Sequence, residues 1–127
     1  MLRFFLICLG GAIGTGARYG VSVWARDALG GSFPYGTIAV NVVGSFLLGA
    51  IMYLGLSTEL ISPTTRLVLG TGVMGGFTTY SSFNYETLQF LQGRAFGLAL
   101  VNLSATLLGC FAAGWLGIAA ARRLAGN

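Results

Sequence analysis

The sequence predicts an all-α integral membrane protein of four transmembrane helices, the third broken near its middle. Three observations predict it. Mean hydropathy is +0.81. Only seven basic and three acidic residues stand among 127. Those charges fence off four uncharged runs, 4–17, 28–58, 67–85 and 95–121, and a span takes about 20 mainly apolar residues, so four spans fit and five do not. The expected spans are 2–22, 36–56, 65–91 and 95–124, in one domain covering 1–127.

The first helix carries Gly10, Gly14, Gly16 and Gly20. Pairs of small residues four apart let helix backbones approach closely in a bilayer. Met1-Leu2-Arg3 before an apolar run also has the outline of a secretory signal, but these glycines suit packing better than a cleavable core. Arg18 lies near the helix end, where two roles suit it: an interfacial anchor that snorkels to water, or an anion-attracting gate in a vestibule. Trp24 to Tyr35 is expected as a loop, with Arg26, Asp27, Gly30, Gly31 and Pro34 as turn signals.

The second helix presents Thr37, Asn41, Ser45 and Gly49 at intervals of four, one small polar stripe on an apolar rod. Asn41 suits either a bond to a neighbouring helix or a place on a lined path. Pro63 stands where the third segment can start. That segment reads Gly75-Gly76-Phe77-Thr78-Thr79-Tyr80-Ser81-Ser82-Phe83 at its centre. A glycine pair and clustered hydroxyls predict a break near 75–79. Irregular backbone at membrane depth is tolerated where it is packed in protein or lines a wet cavity, so the stretch reads as a site. The fourth helix repeats the polar pattern with Asn102, Thr106 and Cys110, and ends in Arg122-Arg123.

Four spans place Arg3, Arg66, Arg122 and Arg123 on one side and Arg18, Arg26 and Arg94 on the other. Such a balance gives the positive-inside rule little to act on. Insertion in both orientations follows, and with it an antiparallel homodimer in the lipid bilayer.

The arginines are scattered at segment ends, which argues against nucleic acid as a partner. The chain has no histidine and no pair of acids inside a span, so Ser-His, His-zinc and aspartyl mechanisms are excluded and an enzyme is not expected. Cys8 and Cys110 lie inside spans and read as small packing residues. What remains is a set of neutral donors: the hydroxyls of Thr37, Ser81, Ser82 and Thr106 and the amides of Asn41 and Asn102. Donors without fixed charge suit a small anion that must enter and leave. The positive edges of Tyr80 and Phe83 can add to them, although packing is the default role of two aromatics.

Over essentially its whole length the chain resembles the small dual-topology fluoride channels of microbes. The resemblance is carried by the four apolar segments, the glycine-rich first helix ending in Arg18, Gly36-Thr37 with Asn41, and above all the stretch from Gly75 to Phe83. It implies an antiparallel homodimer in the cytoplasmic (inner) membrane, with two pores for passive fluoride efflux and fluoride resistance. It also implies a structural sodium ion on the dimer axis, held by the backbone carbonyls of Gly75 and Thr78. By the same resemblance Asn41, Tyr80, Ser81, Ser82 and Phe83 line the fluoride path and Arg18 sits at the vestibule, with Thr37, Asn102 and Thr106 as further path residues. Tyr80 stands where the family carries phenylalanine, and Ser82 where it carries threonine. Two other functions fit parts of the sequence: a small dual-topology exporter of organic cations, which predicts an acid in the first helix where there is none, and a membrane scaffold without transport.

Overall fold

The computed structural model describes residues 1–126 and is helical throughout. In chain order come α1 (Leu2–Leu29), α2 (Tyr35–Ser57), the short α3 (Pro63–Leu67), a π-helical stretch (Val68–Met74), a single turn α4 (Gly75–Phe77), α5 (Tyr80–Gln92) and α6 (Phe96–Leu124). Three of these, α1, α2 and α6, are long and apolar enough to cross a membrane.

One boundary differs from expectation. The first helix does not end near residue 22: it runs on to Leu29 because Trp24, Ala25, Arg26 and Asp27 contain no breaker. It stops at Gly30, whose φ of 86° is cheap only for glycine and whose N–H returns to the Arg26 carbonyl at 2.9 Å. In the third segment the glycine pair is itself helical. The chain unwinds at Thr78 (φ −87°, ψ 158°) and Thr79 (φ −152°, ψ 112°), within the expected 75–79. Pro63 does open α3, with Ser62 accepting the Thr65 N–H at 3.1 Å as its cap.

The helices meet through glycine seams. Along α1 and the third segment, a Cβ on Gly72 would lie 2.9 Å from the Ile7 carbonyl oxygen, and one on Gly76 would overlap that of Gly11. Along α2 and α6, a Cβ on Gly49 would lie 2.5 Å from the Gly114 carbonyl oxygen, and one on Gly117 would overlap that of Phe46. Along the first seam the paired numbers rise together, Ile7 with Gly72 and Gly11 with Gly76, and along the second Val42 meets Gly109 while Ala50 meets Gly117, so α1 runs parallel to the third segment and α2 parallel to α6. Gly10 and Gly14 lie on a seam, but Gly16 and Gly20 have nothing within 4 Å of a Cβ. Their spacing therefore does not serve packing within the protomer.

The interior is small and polar, with Val40 and Asn102 its largest fully buried side chains. Phe4, Leu9 and Ile13 on α1 and Leu107, Phe111 and Trp115 on α6 face outward. An apolar exterior around a polar interior is the arrangement a bilayer rewards.

Candidate functional site

The break at Thr78–Thr79 is held from two sides. Leaving the helix frees backbone groups that need new partners. Asn41 on α2 takes over two of them: its Oδ1 accepts the Thr79 N–H at 2.7 Å and its Nδ2 donates to the Thr79 carbonyl at 3.0 Å. On the other side the Arg18 Nε donates to the Gly76 carbonyl at 3.0 Å. Below the break, Thr78 returns its N–H and its hydroxyl to the Met74 carbonyl. Above it, Thr79 caps α5 by accepting the Ser82 N–H at 3.2 Å. The carbonyls of Gly75 and Thr78 accept no hydrogen bond among the described residues, and no atom lies within 4 Å of where a Gly75 Cβ would stand.

Beside the break opens a cleft of about 430 Å³, walled by Asn41 and Ser45 from α2, Thr78 to Tyr80 and Phe83 from the third segment, and Thr106, Cys110 and Phe111 from α6. Neutral donors converge on it. One hydrogen of the Asn41 amide nitrogen is spent on Thr79, which leaves the second free. The Thr106 hydroxyl is buried and has no partner among the described residues. The Tyr80 and Phe83 rings meet edge to face, 5.7 Å between centroids at 67°, and Tyr80 is 75% exposed. The first turn of α5 adds the positive end of a helix dipole.

The structure thus brings four of the expected path residues, Asn41, Tyr80, Phe83 and Thr106, around one cleft. The others stand elsewhere. Thr37 donates to Glu86 Oε1 at 2.6 Å and lines a separate cleft of about 200 Å³ under the α1–α2 loop, with Ser22, Arg26 and Tyr35. Asn102 is fully buried behind the cleft wall. Ser81 is exposed, and Ser82 takes the Thr79 hydroxyl proton at 3.0 Å. Arg18 is half-buried beside the break, where the Gly76 carbonyl offers it a charge-assisted bond.

Sequence reading passed over Thr87 and Thr79. Thr79 precedes a helix start in the way a cap does, which is a readable signal. Thr87 sits four residues after Phe83, and only its spacing hints at a role. No group of three or more His, Cys, Asp or Glu side chains that could hold a metal ion occurs among the described residues.

A family model described as "CrcB-like protein, Camphor Resistance (CrcB)" matches residues 5–118. Among curated proteins, the chain is 58% identical over 124 residues to "Fluoride-specific ion channel FluC" of Sorangium cellulosum (strain So ce56), covering 98% of each chain. It is 54% identical over 126 residues to the protein of the same name from Anaeromyxobacter dehalogenans, covering 99% of this chain and 100% of the relative. A relative of that name from Geobacter metallireducens is 48% identical over 124 residues, with 98% and 100% covered.

Proposed function

The chain belongs to the CrcB family, and from that premise we propose that it is a fluoride-selective channel, not an enzyme, giving passive fluoride efflux across the cytoplasmic membrane. One observation carries the reading: neutral donors converge on a single cleft beside a broken helix, with no acid among them. Fluoride gives up hydration only to donors that replace it. The free Asn41 amide hydrogen, the unpartnered Thr106 hydroxyl and the aromatic edges of Phe83 and Tyr80 can do so without holding the ion in place. The Tyr80 hydroxyl adds one more donor at the exposed end. An organic-cation exporter needs a carboxylate on its path, and the cleft offers none.

We read the third segment as a fourth span, because its direction matches α1 while α2 and α6 run together, an up-down-up-down order. The nearly balanced arginines favour insertion in both orientations and an antiparallel homodimer. In that dimer the open side of the break at Gly75 would meet its symmetry mate. The free carbonyls of Gly75 and Thr78 are hard oxygen donors and fit a sodium ion there. Bound sodium would supply a structural tie between carbonyls that no donor satisfies. Arg18 and Asn41 bond the neighbouring Gly76 and Thr79 carbonyls, leaving those two unclaimed.

Purified protein in fluoride-loaded liposomes, with a potassium gradient and a potassium ionophore, is expected to release fluoride and to retain chloride. Folded protein that releases no fluoride, or passes both ions alike, would sink the channel reading. The sodium reading has its own test in detergent: replacing sodium by N-methylglucamine is expected to lower the dimer's thermal midpoint. An unchanged midpoint would remove sodium from the structure.

A further inference from the structure

Behind the cleft, α5 and α6 are joined by a buried polar bolt. Thr87, 5% exposed, donates its hydroxyl proton to the Phe83 carbonyl at 2.8 Å. That hydroxyl then acts toward α6 as an acceptor, and it takes an Nδ2 hydrogen of Asn102 at 2.9 Å. Asn102 is 0% exposed. The direction of the Thr87 proton therefore sets the Asn102 amide, nitrogen toward α5 and Oδ1 away from it. Oδ1 has no partner among the described residues, so Thr87 is the only group that fixes this side chain by hydrogen bonding.

The position of the bolt gives it a consequence at the cleft. Because α5 and α6 are consecutive and antiparallel, the residues one turn on from Asn102 and one turn back from Thr87 form the next rung. Those residues are Thr106 and Phe83, about 6 Å along the axes at 1.5 Å per residue. Both line the cleft. Both helices are unbroken between the two rungs, so a change in width at the bolt is passed to the gap between the Phe83 ring and the Thr106 hydroxyl.

We propose that Thr87 is a positioning residue for the ion path. Held by Asn102, it sets the separation of the Phe83 ring from the Thr106 hydroxyl and thereby the preference for fluoride over the larger chloride. The proposal rests on the channel reading above. Thr87→Val keeps the shape and removes the hydroxyl, which leaves a buried amide nitrogen unpaired. The rung can then widen, so the small ion loses contact with one wall while the larger ion gains room. Misplacement of this kind costs up to about 100-fold in rate.

The test uses the full chain in liposomes and reads fluoride rate and fluoride-over-chloride ratio together. Thr87→Val is expected to lower the fluoride rate about tenfold or more and to reduce the ratio, and Thr87→Ser to restore both. Its effect should be non-additive with Thr106→Val, since both act on one rung. To separate positioning from folding, Asn102→Leu with Thr87→Val removes both polar groups, which relieves the unpaired amide; the ratio should stay reduced although the thermal midpoint recovers. Wild-type rate and ratio in Thr87→Val, additivity with Thr106→Val, or a ratio that returns with the midpoint would each overturn the proposal. A wild-type protein that passes no fluoride would overturn the channel reading as well.

Discussion

Asn41→Asp is expected to reduce fluoride efflux by about 100-fold or more, a barrier of roughly 2.7 kcal/mol at 1.36 kcal/mol per decade. The substitution is nearly isosteric and keeps the Oδ1 that accepts the Thr79 N–H. It replaces the amide nitrogen by an oxygen, so the bond to the Thr79 carbonyl becomes an oxygen–oxygen repulsion. It also sets a negative charge on the cleft wall, where an anion must shed water. Asn41→Ala loses the clamp without adding charge and should fall less far. Efflux followed by a fluoride electrode, with size-exclusion profiles as the folding control, decides it. If Asn41→Asp conducts as wild type does, the cleft beside Asn41 is not the path.

The second large effect concerns the fold. A Cβ on Gly14 would overlap the Val73 carbonyl oxygen and lie 2.9 Å from the Phe77 nitrogen. Both are backbone, so neither can move aside cheaply. Gly14→Ala is expected to push α1 off the third segment at a cost of roughly 1–3 kcal/mol. Thermal unfolding in detergent should shift down by several degrees, with loss of the single size-exclusion peak. Gly20→Ala, where nothing lies within 4 Å, should leave both unchanged. Equal behaviour of the two variants would mean that the seam is not a close contact in the protein.

What the residues alone disclosed follows from which signals are local. The apolar runs and the hydroxyl-rich break were legible because hydropathy and clustered Thr and Ser act within a few residues. The end of α1 was not: Arg26 and Asp27 look like loop residues, yet a charged pair past the apolar core is compatible with helix, and only Gly30 stops it. Within the expected 75–79 the break falls on Thr78–Thr79 rather than on the glycines, because the deciding partner is Asn41, 38 residues away in the chain. Long-range partners leave no local mark. The same holds for Asn102, whose i, i+4 relation to Thr106 suggested one continuous track. Thr87 captures Asn102 for the α5 contact, and of the track Thr106 and Cys110 reach the cleft while Asn102 does not.

The two glycine seams join segments that are not neighbours in the chain: α1 with the third, α2 with α6. The first two helices therefore leave the ribosome before their main partners have been made. After α2 is synthesised, the first two helices meet closely at Gly36 against Ser22, while their seam faces have nothing to pack on. The α1 seam is completed only when the third segment, the least apolar of the four, has been made. Read as a span, that segment is the weakest inserter, and its entry is favoured by the backbone contacts with α1 that it completes on arrival. On that reading, assembly turns on the third segment.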